Sequence, residues 1–185
     1  MTTSTDHEPD AAAQESDAAG LQGDLQGDAP ARIELDEIRD IGLFGGLADD
    51  VLTSLLAELH VLELDPGALV FRENERGREM FVLLVGEIEV MKQSKRDVPS
   101  RVAILGPGDW FGEMSILDVM PRSATVRAVA YSRLLRISAS DLESLYRRDT
   151  KSYALLVLNV AREMSRRLRV ADALLAEMAT QPLAR

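Results

Sequence analysis

The sequence predicts an α+β fold in which a β-roll is flanked by helices, and two features carry this prediction. After His60, short apolar runs are separated by turn residues roughly every ten positions, as strands are in a barrel or a jelly roll. The runs that we interpret as strands are VFRE, MFVLLV, EIEVMK, RVAIL, ATVRAVA and RLLRIS. Helical periodicity precedes this region and returns after it, which places helices on both sides of the roll.

The first 31 residues are predicted to be a disordered acidic tail. They contain seven acidic side chains and no Lys or Arg, and they are rich in Ala, Asp, Gly and Gln. Such a segment has too little apolar surface to offset the entropy lost on ordering. It is either a solvated leader or an interaction tail. Most of the net charge of −10 lies in this tail, because residues 32–185 carry only −3.

The body of the chain, residues 32–150, is predicted to begin with helices. Apolar residues recur there at helical spacing, and Asp49 or Asp50 is placed to cap the start of the helix. The residues that define this spacing are Val51, Leu52, Leu55, Leu56 and Leu59.

A second helical region follows the last predicted strand. Ser140 and Glu143 predict a capping box for a helix that begins near Asp141. A longer helix is predicted from about Lys151 to Ala179, and we treat residues 151–185 as a segment of its own. Its apolar residues follow a heptad spacing, which indicates either pairing with a second copy or an amphipathic face packed on its own domain. The heptad residues are Ala154, Val157, Ala161, Met164, Leu168, Ala171, Leu175 and Met178.

The composition argues against several classes of protein. The chain has no cysteine, and its two histidines, His7 and His60, are far apart, so we expect no metal site, no disulfide and no catalytic triad. We find no secretory signal and no apolar run near the roughly 18 residues needed to span a bilayer. We therefore expect a cytoplasmic protein that is not an enzyme and does not act at a membrane.

The segment FGEMSILDVMPRSATV, residues 111–126, places two charges among small and apolar residues. Arg122 can donate two parallel hydrogen bonds to phosphate oxygens, and a buried anion needs such a partner. Gly112 allows close approach to a ligand, so GEMSIL could form a short helical turn with amides directed at the anion. Glu113 would repel a phosphate but can accept a hydrogen bond from a sugar hydroxyl. The pair fits a cyclic nucleotide, although an isolated Glu and Arg at this spacing are more often a solvated pair.

The same segment resembles the phosphate-binding cassette of the cyclic-nucleotide-binding domain family. The matching residues are Phe111-Gly112-Glu113-Met114-Ser115 and Arg122-Ser123-Ala124-Thr125-Val126, and the likeness extends over about residues 34–178. The resemblance implies an eight-stranded β-roll of the jelly-roll type. It also implies that Arg122 holds the cyclic phosphate, and that Glu113 and the Gly112 backbone hold the ribose 2′-hydroxyl. Met114, Ser115 and Ser123 are expected to add phosphate or sugar contacts.

The resemblance also places the nucleotide base, but it does not decide which base is bound. Val102 and Ala103 are at the matching wall positions, and the long helix presents Ala171 and Asp172 where the catabolite activator protein presents hydroxyl groups. Asp172 is an acceptor that suits the donor edge of guanine or the adenine amino group. Cyclic AMP and cyclic GMP therefore both remain open, with cyclic AMP favoured.

Three hypotheses follow for the function. The first is a sensor that binds a cyclic nucleotide and signals through an unidentified effector protein, since we predict no effector domain. The second is a protein-interaction module whose nucleotide pocket is vestigial. The third, an enzyme, has no nucleophile, base or metal cluster to support it. Direct DNA binding is not expected, because no helix-turn-helix is predicted, and the long helix either forms a homodimer or only covers the pocket.

Overall fold

The computed structural model describes residues 33–94 and 98–180, without the side chain of residue 180. The predicted tail, residues 1–31, lies outside this range. Five helices are present in the described residues: α1 at Leu35–Ile38, α2 at Asp49–Leu56, α3 at Met114–Leu117, α4 at Ala139–Arg148 and α5 at Thr150–Thr180. A short 3-10 turn at Gly42–Phe44 links the first two helices.

Eight strands of the described residues form two four-stranded antiparallel sheets. The first sheet has the order β1-β8-β3-β6, and the second has the order β2-β7-β4-β5. The strands are β1 at His60–Leu64, β2 at Leu69–Phe71, β3 at Glu79–Val85, β4 at Ile88–Gln93, β5 at Pro99–Leu105, β6 at Trp110–Phe111, β7 at Thr125–Ala128 and β8 at Ser132–Ser138. The predicted α+β fold with an eight-stranded roll and flanking helices is confirmed.

The two sheets differ in what covers their faces, and the sequence shows why. In β3, Phe81 and Leu83 point into the roll while Met80 and Val82 pack against the helices, so the strand is a continuous apolar run. In β7, Val126 points inward and its neighbour Arg127 is exposed, because the second sheet has solvent on its outer face. The described residues thus form two apolar cores, one inside the roll and one between the first sheet and the helices.

The predicted helix starts need two corrections. The N-cap of α2 is Ala48, and Asp49 and Asp50 lie in the first turn, where their charge favours the helix dipole. The capping box of α4 is formed by Ser138 and Asp141 instead of Ser140 and Glu143. The Ser138 hydroxyl accepts the Asp141 amide at 3.1 Å, and the Asp141 carboxylate accepts the Ser138 amide at 2.7 Å, so the helix begins earlier than predicted.

The apolar residues with which helix α5 packs on its own domain lie in its first half. Leu156 and Val160 are buried there, and the Asn159 amide donates to the carbonyl oxygens of residues 43 and 45 at 3.1 and 2.8 Å. These residues lie off the predicted heptad seam. Farther along, the seam residues Leu168 and Leu175 are 61% and 62% exposed, so the domain does not use them. Pairing of this seam with a second copy remains a prediction.

Candidate functional site

Strand β6 directly precedes the candidate site in the chain. Phe111 pairs with Phe81 of β3, and the next residue, Gly112, turns the backbone with a φ of 82°. A Cβ atom at Gly112 would lie 2.8 Å from Arg122 Nη1 and 3.1 Å from the Glu79 carbonyl oxygen. Only glycine fits both this φ and this contact. The chain then forms α3, which confirms the predicted short helical turn after Gly112.

Arg122 is a buried cation inside the roll, with only 4% of its surface exposed. Its Nη1 donates to the carbonyl oxygens of Glu79 at 2.6 Å and Gly112 at 3.0 Å, and to Ser115 Oγ at 3.3 Å. Its Nη2 donates to the Glu79 carboxylate at 3.2 Å. The guanidinium also lies over the Phe71 ring, 4.1 Å from the ring centroid. The side chain is therefore held in one place by several elements of the fold.

One donor of Arg122 has no partner within residues 33–94 and 98–180. The Nε atom is buried and has no hydrogen-bond acceptor among the described residues. The backbone of Gly77 packs closely here, since a Cβ atom at this position would lie 2.5 Å from both Nε and Nη2. Burial lowers the pKa of Arg122, and the carboxylates of Glu79, Glu75 and Glu113 oppose that shift. A buried cation with an unused donor is a favourable place for an anion.

Glu113 lies beside this cation but faces the long helix. It is 6% exposed, and its Oε1 is 3.6 Å from Arg167 Nη1 of α5. Burial raises the pKa of Glu113, against the lowering effects of its own backbone hydrogen bond and of Arg167. The carboxylate is therefore a desolvated acceptor with a distant ionic partner, which leaves it able to accept a hydrogen bond from a ligand hydroxyl.

Arg167 links α5 to the site. Its Nη2 donates to the Trp110 carbonyl oxygen at 2.8 Å, and its Nε donates to Glu163 Oε1 at 3.3 Å. Arg167 is one of four arginines within residues 162–169, and such a cluster is typical of a solvated helix face. The spacing of Glu163 and Arg167 shows only that they share a face of the helix, so a contact with the cassette could not be inferred.

Lys92, like Arg167, contacts the candidate site although the sequence did not identify it as a site residue. Its Nζ donates to the Ser123 carbonyl oxygen at 2.8 Å, and it lies 3.7 Å from the Glu73 carboxylate. This bond fixes the peptide between Ser123 and Ala124, close to Arg122. The Ser123 hydroxyl itself lies 3.6 Å from the Met114 sulfur, so these two predicted site residues are neighbours at the rim. Ser115 is buried beside Arg122, whereas Met114 is 43% exposed.

The residues predicted to contact a base are less constrained. Ala103 pairs with Val90 of β4, and Arg101 pairs with the next residue of that strand, so Val102 is the extra residue of a β-bulge. Bulges re-aim side chains and are common next to binding sites. Val102 is 58% exposed, and Asp172 lies in an exposed part of α5. Their contact with a base remains a prediction.

Within residues 33–94 and 98–180, no cluster of three or more His, Cys, Asp or Glu side chains could hold a metal ion. None of the helices described has the length and apolarity required to cross a membrane.

The comparisons with known proteins relate the chain to one family of domains. Residues 61–149 match the family model of the cyclic nucleotide-binding domain. The chain is 32% identical over 130 residues to the cyclic AMP receptor protein of Thermus thermophilus, with 70% of this chain and 58% of the relative covered.

Two solved structures show the same fold. A cyclic nucleotide-binding domain from Methylobacillus flagellatus superposes with a TM-score of 0.73 at 22% identity, and covers 81% of this chain and 86% of its own. The catabolite activator protein of Thermus thermophilus gives a TM-score of 0.67 at 31% identity, and covers 75% of this chain and 63% of its own. The chain thus spans little more than half the length of the receptor protein that it matches.

Proposed function

We propose that this protein, whose residues 61–149 belong to the cyclic nucleotide-binding domain family, is a regulatory sensor that binds cyclic AMP or cyclic GMP without chemical conversion. Arg122 takes the cyclic phosphate and Glu113 accepts the ribose 2′-hydroxyl. The Gly112 backbone, Ser115 and Ser123 complete the sugar and phosphate contacts. Met114 and Ser115 are the first residues of α3, so their amides lack an acceptor within the helix and can turn to the phosphate.

The observation that carries this proposal is the unpartnered donor of Arg122. Its Nε atom is buried and meets no acceptor in the part of the chain that the structure describes, and the guanidinium is held rigidly by carbonyl oxygens and by the Phe71 ring. Leaving a buried donor unsatisfied is unfavourable by about 1–3 kcal/mol, and more for a charged group. A phosphodiester oxygen removes that penalty and supplies the opposite charge.

The ligand can act at a distance because α5 touches the site. Arg167 contacts both Trp110 and Glu113, so a ligand hydroxyl that bonds to Glu113 changes the partners of the helix. The distal half of α5 presents exposed apolar residues that can bind a second copy or an effector protein. If α5 exchanges between two positions, the ligand can shift that equilibrium only by the difference between its affinities for the two states.

One observation favours a second candidate, an interaction module with a vestigial pocket. The Glu79 carboxylate already pairs with Arg122 at 3.2 Å, so the cation is partly neutralised without a ligand. In that case the exposed part of α5 would be the functional surface, and no nucleotide would bind.

Thermal unfolding with and without ligand separates the two candidates. We expect cyclic AMP or cyclic GMP at 100 times its dissociation constant to stabilise the protein by about 2.7 kcal/mol, and we expect adenosine, which lacks the phosphate, to have little effect. Calorimetric titration with both nucleotides measures the preference directly. No shift with either nucleotide, together with persistent self-association, would support the interaction module instead.

A further inference from the structure

We propose that Glu79 is the resident counter-ion of Arg122 and that it competes with the phosphate of the ligand. This inference rests on the proposed function of the site. The competition lowers the affinity for every anionic ligand, and it acts most strongly on a phosphate that carries two charges. Glu79 therefore helps to select a cyclic monophosphate over a linear one.

The geometry shows that Glu79 acts on Arg122 in two separable ways. Its carbonyl oxygen accepts Nη1 at 2.6 Å, and its carboxylate accepts Nη2 at 3.2 Å. The first contact belongs to the backbone of β3 and does not depend on the side chain. Only the second contact brings a negative charge, so a change of the side chain can remove the charge and leave the backbone support in place.

The carboxylate contacts one of the two guanidinium nitrogens that a phosphate needs. Nη1 is taken by the carbonyl oxygens of Glu79 and Gly112 and by the Ser115 hydroxyl. A bidentate phosphate must therefore use Nε and Nη2, of which Nε is unpartnered and Nη2 faces the Glu79 carboxylate. The ligand must either displace Glu79 or bind beside its charge.

The surroundings make displacement feasible. The Arg122 side chain is 3% exposed, whereas the Glu79 side chain is 24% exposed and can turn toward water. In the unliganded protein, Glu79 stabilises the buried cation. That stabilisation is lost when the phosphate arrives, so the same contact that supports the empty state weakens binding.

The charge of the ligand decides how large this effect is. Repulsion between two charged groups grows in proportion to each charge. A cyclic monophosphate carries one negative charge, and a phosphate monoester such as linear AMP carries about −1.5 to −2 at neutral pH. Glu79 thus disfavours linear AMP more than cyclic AMP.

The test is Glu79→Gln, which keeps the shape and an acceptor oxygen for Nη2 but removes the charge. We expect the unliganded variant to melt at a lower temperature than the wild type. We also expect its affinity to rise by about three- to thirtyfold for cyclic AMP, and by a larger factor for linear AMP. The control Glu58→Gln removes an Arg–Glu pair with Arg148, outside the site, and should leave both affinities unchanged.

Other outcomes decide against the inference. If Glu79 only positions Arg122, Glu79→Gln will bind cyclic AMP and linear AMP no more tightly than the wild type does. That result would overturn the inference. Should the variant fail to fold, Glu79→Asp withdraws the charge by one methylene, and the same comparison of affinities decides. If neither the wild type nor the variant binds any nucleotide, the proposed function fails. In that case inorganic phosphate should still stabilise Glu79→Gln more than the wild type, and equal stabilisation would overturn the inference.

Discussion

The two ends of the proposed site are built differently. At the phosphate end, Gly112, Glu113 and Arg122 are held by the sheets and by α5, and Glu113 and Arg122 are almost fully buried. At the base end, Val102 and Asp172 are exposed and have no comparable support. The difference teaches that, under the proposed function, the residues for the phosphate and ribose are held in place before binding, while a base would meet an exposed surface. Substitutions at the phosphate end should therefore have the larger effects.

The largest effect is expected from Arg122→Ala. The substitution leaves the phosphate without its cation, and truncating one partner of a buried charge pair typically weakens binding by about 2–5 kcal/mol. Calorimetric titration with cyclic AMP measures the loss. The matched control is Arg148→Ala, which removes an exposed arginine that pairs with Glu58. Unchanged affinity in Arg122→Ala would show that the nucleotide binds elsewhere or that the pocket has another anchor.

The next effect is on folding, at Gly112→Ala. The new Cβ atom would meet Arg122 and the Glu79 carbonyl oxygen, and the positive φ adds strain, so we expect about 2–4 kcal/mol of destabilisation in chemical unfolding. Gly67→Ala is the control, because its φ is also positive, at 88°, but no described residue apart from its chain neighbours lies within 4 Å of the added carbon. Equal losses in the two variants would mean that close packing at the cassette is not important.

A third substitution, Glu113→Gln, separates stability from binding. Burial raises the pKa of Glu113, so its carboxylate destabilises the folded protein as the pH rises through that pKa. We expect Glu113→Gln to be more stable than the wild type at neutral pH, with an advantage that disappears as the pH falls. Binding should weaken by about 1–2 kcal/mol, since the ribose hydroxyl keeps an acceptor oxygen but loses the negative charge that strengthens the bond. Urea unfolding across pH and calorimetry measure the two effects, and a loss of both stability and binding would contradict this assignment.

A smaller effect is expected from Leu175→Glu on the exposed seam of α5. If this seam pairs with a second copy, the substitution should weaken the dimer by about 1–2 kcal/mol per chain, because a leucine at a two-helix seam is only partly buried. Sedimentation equilibrium measures the change. Leu158→Glu, at a position off the seam that is 44% exposed, serves as the control. Identical sedimentation of the wild type and both variants would exclude pairing through this seam.

The smallest effect is expected from Asp172→Ala. Because Asp172 is exposed, a hydrogen bond to a base is only weakly favourable, and we expect the ratio of the cyclic AMP and cyclic GMP affinities to change by less than about tenfold. A larger change would show that α5 closes firmly over the base and that the base end is as well defined as the phosphate end.

The same contrast explains how much could be predicted from the sequence. Six strands and the long helix were predicted from apolar runs and turn residues, and Arg122 and Glu113 stood out as charges in an apolar segment. Strand β1 and the two-residue β6 were not predicted, and β6 is too short to show a pattern. The capping box was placed two residues late because Ser138 and Ser140 offer the same side chain, and only the backbone geometry distinguishes them.

The residues that surround Arg122 could not be predicted, because their contacts join distant parts of the chain. Glu79 is separated from Arg122 by 43 positions, and in the sequence it is simply an acidic residue at the start of a strand. Arg167 reaches the Trp110 carbonyl oxygen across 57 positions. Such contacts depend on how the sheets close and where α5 lies, which local sequence patterns do not encode.

A crystal structure of the protein with cyclic AMP tests the central claim most directly. We expect two phosphate oxygens within about 2.7–3.2 Å of Arg122 Nε and Nη2, with the Glu79 carboxylate moved away and the ribose hydroxyl bonded to Glu113. A nucleotide bound elsewhere, or an Arg122–Glu79 pair unchanged beside an empty pocket at saturating ligand, would contradict the account.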